Sequence, residues 1–339
     1  MRVLVTGSAG FIAGYLISEL LRAGHHVCGI DNFSKYGPVV KEFDNHPNYE
    51  FVEGDCKDIE QLTHMLEGCD QVVAAAAMIG GITYFHRYAY DLLAENERIL
   101  AATYDAALGA WSRGSLDRIN VISSSMVFES TSTYPTPEGD ERCSPPPKSS
   151  YGFQKLAAEY FARSAFDQYG LPFTILRPFN CVGVGEGRSL GDEQVESGNI
   201  QLAMSHVLPD LAQKVLKGQK PLRIFGDGAQ IRHYTHGKDL GRGIRMCMET
   251  DKSINEDFNL STRQSTTVLE LAELVWHEIY EDEPLSYESD EPFLYDVQKR
   301  VPDVSKAERI LGFTAEIPIE QSVREVVAWV RQEIVHGRI

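Results

Sequence analysis

The first 31 residues constrain the fold more than any other stretch. Arg2-Val-Leu-Val-Thr6 is an apolar run without polar alternation, the pattern of a strand buried on both faces of a parallel sheet. Gly7-Ser-Ala-Gly10-Phe-Ile-Ala13 follows and leads into a helical run from Tyr15 to Arg22, which stops at Ala23-Gly24. A second strand, His26 to Ile30, finishes on Asp31-Asn32. Strand, glycine turn, helix, strand and acidic residue within about 30 residues are the pattern of a dinucleotide-binding βαβ unit. Gly7 and Gly10 let the backbone approach a pyrophosphate, and the helix start offers free N–H groups at the positive end of its dipole. Asp31 can accept hydrogen bonds from ribose hydroxyls and would repel a 2′-phosphate, so NAD is expected rather than NADP.

The rest of the chain alternates strands and helices. Strands are expected at Tyr49–Glu53, Gln71–Ala77, Arg118–Ile122 and Phe173–Leu176. A long helix is expected from about Tyr90 to Trp111 and another from Tyr151 to Tyr169, separated by a proline-rich loop from Tyr134 to Ser149. Asp55, after the third strand, either reaches an adenine amino group or is an ordinary strand-end carboxylate. Gly80-Gly81-Ile-Thr-Tyr84-Phe-His86 reads as a loop at the ligand-binding end of the sheet. Beyond residue 180 the pattern loosens. Residues 182–199 read as a loop over the site, and Leu202–Gly218 as one or two helices broken near Pro209. Later elements are expected at Arg223–Asp227, Asp257–Leu260, Val268–Tyr280, Ala307–Leu311 and Gln321–His336.

A length of 339 residues allows one large or two coupled domains. No apolar run approaches the roughly 18 residues that a membrane helix needs. The 49 acidic residues against 32 basic ones leave a net charge of −17, which argues against nucleic acid or an anionic membrane as partner. An anionic ligand therefore needs locally placed Arg or Lys. The six cysteines form no CxxC pair and the ten histidines no HxxxH or HExxH set, so reduced thiols and no metal are expected. A strand pattern starts at once, without a signal peptide, and a cytoplasmic location is expected.

Ser123-Ser124-Ser125-Met126 ends the fifth strand, and Tyr151 and Lys155 follow four residues apart. On a helix those two side chains share one face, so the ammonium can sit near the phenol. A nearby cation favours the phenolate and moves the pKa of tyrosine from about 10 toward the working range of a base.

Together these pieces resemble the extended short-chain dehydrogenase/reductases, in particular the nucleotide-sugar epimerases and dehydratases. The likeness runs through Thr6–Ala13, Asp31-Asn32, Asp55, Ser123–Phe128, Tyr151 with Lys155, Arg177-Pro-Phe-Asn180, Gly226–Arg232 and Arg300-Val-Pro-Asp303. It covers nearly the whole length in the family's order.

The resemblance implies an α/β fold: a Rossmann-type doubly wound parallel sheet with a smaller, interleaved C-terminal substrate-binding domain. Residues 1–180, with a returning segment at about 233–262, would bind NAD, and the remainder of 181–339 would bind substrate. The resemblance places Gly7, Gly10, Phe11, Ile12, Asp31, Asn32, Asp55 and Lys155 at a tightly held NAD that is reduced and reoxidised within one turnover. Tyr151 would take the proton of a sugar 4-hydroxyl, Ser124 would hold that oxygen, and Lys155 would bind ribose hydroxyls and depress the tyrosine pKa. A nucleotide-diphosphate sugar would meet Ser125, Met126, Asn180, Asn199 and His206. Arg232 and Arg300 would clamp its diphosphate, although each is also a plain surface salt-bridge candidate. The family's dimer contact implies a homodimer through the helices spanning Leu92–Leu108 and Leu156–Ala165.

Subfamilies differ in the chemistry after oxidation. Dehydratases and uronate decarboxylases of this family usually place an acid one or two positions after the catalytic Ser or Thr. Here those positions are Ser125 and Met126, and a thioether supplies no proton. The similar 3,5-epimerising members carry a Cys at the Met126 position. The expected activity is therefore 4-epimerisation through a transient 4-keto sugar. Two features keep open the alternative of C3/C5 epimerisation or dehydration through the same ketone. Ser205-His206-Val-Leu-Pro209 is similar to a segment of GDP-fucose synthase, and Gly80-Gly81 to GDP-mannose 3,5-epimerase. His206 then either moves a proton or satisfies a local bond. The non-enzyme alternative is a catalytically silent nucleotide-sensing protein.

Overall fold

The computed structural model describes residues 1–79, 88–186, 206–292 and 297–339, with the backbone of two short strands between 196 and 201. The chain begins with β1 (Arg2–Thr6), α1 (Phe11–Arg22), β2 (His26–Asp31) and β3 (Tyr49–Glu53). It then crosses through α2 (Ile59–Met65) to the other side of β1. There it adds β4 (Gln71–Ala74), α3 (Ala89–Ser112), β5 (Arg118–Ile122), α4 (Ser150–Tyr169) and β6 (Phe173–Pro178). Short elements follow: β7 (Cys181–Val182), β8 (Glu196–Ser197), β9 (Ile200–Gln201), α5 (Val207–Leu216), β10 (Leu222–Phe225), β11 (Ile231–Arg232) and β12 (Thr235–His236). The chain then returns to the sheet with α6 (Gly237–Met248) and β13 (Glu256–Leu260). It ends with β14 (Thr266–Thr267), α7 (Val268–Tyr280), β15 (Tyr287–Asp290), α8 (Ser305–Leu311) and α9 (Ile319–Val335).

Seven strands pair in parallel in the order β3-β2-β1-β4-β5-β6-β13. The strand order reverses between β1 and β4, which opens a crevice at their carboxyl ends. Alternate strand residues face opposite layers. Leu4, Val72, Ile119 and Ile175 pack against α2, α3 and α4 through Leu62, Ala107 and Ala162. Val3, Val5, Val73 and Leu176 pack against α1 and α6 through Leu16, Ile17, Leu20 and Ile244. Fully burying each such aliphatic side chain contributes roughly 1.5–3 kcal/mol, so both faces must be covered. A third core gathers Leu208 and Leu211 of α5, Leu222 of β10, Trp276 of α7 and Val326 of α9. It builds the wall opposite the sheet's carboxyl end.

Three of the departures from the expected elements have a local reason. The first helix starts at Phe11 rather than Tyr15, because Gly10, extended at φ −66° and ψ 168°, is already its N-cap. The fourth strand ends at Ala74 rather than Ala77. Thr6 Oγ1 accepts the amides of Ala75 and Ala76 at 3.1 Å and draws them off the ladder. The described helix around Pro209 is unbroken, since it begins at Val207 and Pro209 falls in the first turn, where a missing N–H costs no internal bond. Part of the expected loop at 182–199 pairs instead as an antiparallel β8–β9 hairpin. The expected Gly80–His86 loop and Asn199 lie outside the described residues. Among the described residues no helix is long and apolar enough to cross a membrane.

Candidate active site

A cavity of about 810 Å³ runs from the β1–β4 crevice to the third core. It gathers the described candidate site residues. Gly7, Gly10, Phe11, Ile12, Asp31, Asn32 and Asp55 line one end; Ser124, Ser125, Met126, Tyr151 and Lys155 line the middle; Asn180, His206, Arg232 and Arg300 line the far side.

The glycine end is shaped for close approach of a ligand. Gly7 sits at φ +69°, and a Cβ there would come within 2.7 Å of Ala76 Cα. The α1 N-terminus carries no side-chain cap and no acidic residue in its first turn, so its amides face the cavity as anion donors. Asp31 is held at the end of β2 by the amides of Ala9 and Phe33, at 3.0 and 2.8 Å. Burial pushes its carboxyl up, and those two bonds oppose the shift. Asp55 is half-exposed and lies 3.5 Å from Lys57. On the neighbouring wall, Asn96 of α3 clamps Met78, accepting its amide at 2.6 Å and donating to its carbonyl at 2.9 Å. This uncapped, glycine-lined cradle fits the pyrophosphate and ribose of NAD.

The reacting face is built from β5 and α4. Ser124 lies two residues beyond β5 and caps the short 3₁₀ turn Ser125–Phe128, its Oγ accepting the Met126 amide at 3.2 Å. Ser149 caps α4 by accepting the Gly152 amide at 3.0 Å, and Glu129 accepts from both the Ser149 amide and its hydroxyl. Gly152 is needed for this contact, because a Cβ would lie 2.7 Å from Pro147 and 2.8 Å from Met126 O. Tyr151 thereby meets Ser124 in a hydrogen bond.

The tyrosine's electrostatics differ from the expectation. Lys155 was expected to lower the Tyr151 pKa, whereas burial pushes the phenol up, and the opposing influences are the Ser124 hydrogen bond and the Arg300 charge. The Lys155 ammonium donates to the Ile122 carbonyl at 3.0 Å and stands 6.0 Å from the Tyr151 ring centroid. Its own pKa is lowered to about 8 by burial.

On the far side, Arg300 donates to Asn180 Oδ1 at 3.3 Å, and its amide bonds the Ile231 carbonyl, which sets it beside Arg232. His206 precedes α5, and its Nδ1 bonds Glu186, a carboxylate only 1% exposed. Behind the reacting face lies a buried ion network. Arg177 makes a two-pronged bond to Glu159 at 2.7 Å on each arm, and reaches Asp257 at 2.7 Å and Glu141 at 3.1 Å. Ser123 donates to the same Glu159 at 2.6 Å.

Sequence reading missed Glu129, Ser149, Glu159 and the pair Asp210–Lys214. Ser149 was open to a capping argument, since it immediately precedes a helix. Glu159, four residues beyond Lys155, shares its helix face. Asp210 and Lys214 are an i, i+4 pair that helical spacing alone could have picked out. Nothing local shows that Glu129 reaches Ser149.

Residues 3–261 match the model of the NAD dependent epimerase/dehydratase family. Over 343 residues the chain is 26% identical to the uncharacterized UDP-glucose epimerase YtcB of Bacillus subtilis, covering 97% of this chain and 98% of the relative. The fold is shared with UDP-glucuronic acid 4-epimerase of Bacillus cereus, solved with UDP-glucuronic acid and NAD (TM-score 0.82, 24% identity, 98% and 99% coverage). It is shared too with the dTDP-glucose 4,6-dehydratase DesIV of Streptomyces venezuelae (TM-score 0.83, 24% identity, 99% and 98% coverage).

Proposed function

Because the chain belongs to the NAD-dependent epimerase/dehydratase family, we propose that its cavity inverts C4 of a nucleotide-diphosphate sugar through a transient 4-keto form. The observation that carries this reading is the reacting face: Tyr151 bonded to Ser124, with buried Met126 where a dehydrating enzyme needs an acid. Gly7, Gly10 and Asp31 would hold NAD, which would supply reversible hydride chemistry at C4. Tyr151 takes the 4-hydroxyl proton as C4 is oxidised to the ketone, and returns it when C4 is reduced from the opposite face. Ser124 holds the reacting oxygen. Lys155 would reach the cofactor ribose, and Arg300 is the positive charge that acts on the Tyr151 phenol. Arg232 and Arg300 hold the diphosphate as two-pronged donors. The relative described as a UDP-glucose epimerase and the shared fold of a UDP-glucuronic acid 4-epimerase support the reading.

In this reading residues 1–180 and about 233–262 form the NAD domain, and the remainder of 181–339 forms the substrate domain. The six free cysteines, five of them buried, suit a reducing cytoplasm. The groove on α4 lined by Phe153, Leu156, Tyr160 and Phe161 is the proposed homodimer contact.

The test is incubation with UDP-, GDP-, CDP- and dTDP-sugars in deuterated water, followed by mass and NMR analysis. A C4-inverted product without solvent deuterium is expected; a dehydrated sugar, or no product from any of them, contradicts the proposal. A second reading rests on His206, which lines the cavity and is oriented by Glu186 as a proton-transfer residue would be. It puts inversion at C3 or C5 beside the same ketone, and deuterium at those carbons distinguishes it.

A further inference from the structure

The lobe of the cavity beyond the two arginines holds an acid–base pair that the proposed reaction does not use. Asp210 Oδ2 lies 3.0 Å from Lys214 Nζ, and that ammonium also donates to the Arg223 carbonyl at 3.0 Å. Asp210 is 8% exposed and Lys214 1%, yet both line the cavity. Among the described residues Asp210 Oδ1 has no hydrogen-bond partner. A buried carboxylate oxygen without a donor is costly, and a donor on a ligand relieves that cost.

Contacts carry this lobe back to the reacting face. The Lys214 ammonium is 5.2 Å from the Phe225 ring centroid, and Gln230 donates to the Phe225 carbonyl at 3.3 Å. Two residues on stands Arg232, beside Arg300, whose charge acts on Tyr151. A substrate with its sugar at Tyr151 and its diphosphate between the arginines therefore directs its nucleobase at α5 and β10. Val207, Leu211 and Ile224 provide apolar walls there for a flat ring.

Resting on the reading of this cavity as a nucleotide-sugar site, we infer that Asp210 and Lys214 select guanine, so that the substrate is a GDP-sugar. Guanine presents two adjacent donors, N1–H and the 2-amino group, next to the acceptor O6. A carboxylate accepts from both donors, and an ammonium beside it donates a hydrogen bond to O6. Lys214 spends two of its three donors on Asp210 and Arg223 and has the third for that bond. Uracil and thymine flank a single N3–H with two carbonyl oxygens, which a carboxylate repels. Cytosine and adenine each offer an amino group with no second donor adjacent. A site with a buried charge rejects a base that leaves the charge unmatched.

Calorimetric titration of the NAD-loaded protein with GDP, UDP, CDP and xanthosine diphosphate tests the assignment. The wild type is expected to bind GDP at least about 10-fold more tightly than the other three. Asp210→Asn keeps the shape but replaces one acceptor by a donor. It should weaken GDP by roughly 10- to 100-fold and strengthen xanthosine diphosphate, whose C2 carbonyl stands where guanine has its amino group. UDP binding as tightly as GDP, or an Asp210→Asn protein with unchanged preferences, overturns the guanine assignment and leaves the nucleotide-sugar reading standing. Failure of all four to bind removes both. If Asp210→Asn does not fold, the wild-type order among the four diphosphates decides the matter.

Discussion

Glu129 accepts two hydrogen bonds from Ser149, from its amide at 3.1 Å and its hydroxyl at 2.7 Å, and Ser149 passes the restraint to the Gly152 amide. The first turn of α4 is thus tied to the turn that follows Ser124, and the Tyr151–Ser124 distance is set by a residue outside the chemistry. Glu129→Ala should lower kcat by about 10- to 100-fold through misplacement of Tyr151. It should also cost about 1–2 kcal/mol through the lost cap. Steady-state kinetics with thermal melts measure both, and an unchanged kcat would sink the positioning role.

Tyr151→Phe removes the proton acceptor and keeps the ring. Turnover should fall by about 10²- to 10⁴-fold, the usual worth of a general base. NAD content per chain, measured after denaturation, should not change, because the phenol is no part of the glycine cradle. A variant retaining full turnover would refute the assignment of the base.

Lys155 is buried in its charged form, with its pKa lowered from 10.5 to about 8. A lysine depressed in the folded state lowers stability fully below pH 8, and the penalty is relieved as pH rises from 8 to 10.5. At about 1.4 kcal/mol per pH unit the difference is about 3 kcal/mol. Denaturant melts of wild type minus Lys155→Met should show the wild type gaining stability across that window. A flat difference would mean that the ammonium is solvated.

Arg177 depends on Glu159, and both are fully buried. Glu159→Gln leaves the guanidinium short of a countercharge and should cost about 3–5 kcal/mol. Asp257 is held below the usual carboxylate range, with burial opposing the stronger pull of Arg177 and Lys306. Its contribution is complete above the unfolded carboxylate pKa of about 4 and is lost as pH falls toward the folded value. Wild-type stability should therefore fall more steeply than that of Asp257→Asn below about pH 4, as acid titration followed by circular dichroism would show.

On α4, Phe153 and Tyr160 are 47% and 57% exposed along an apolar groove. If this face joins two copies, sedimentation should give a dimer for the wild type and largely monomer for Tyr160→Glu. A monomeric wild type would dispose of the contact.

The sequence by itself indicated the seven strands of the central sheet, the glycine turn, the acid at the end of β2 and the Ser124–Tyr151–Lys155 spacing. Each depends on periodicity or spacing within a few turns of chain, where backbone geometry alone decides which side chains share a face. The tertiary structure decided what those groups experience. Lys155 points at a carbonyl rather than setting the tyrosine's pKa, Glu129 reaches 20 residues along the chain to Ser149, and Arg177 finds Asp257 from another strand. Burial and ion pairing arise between segments distant in sequence, and a pair such as Asp210–Lys214 acquires its meaning only from the cavity that closes over it.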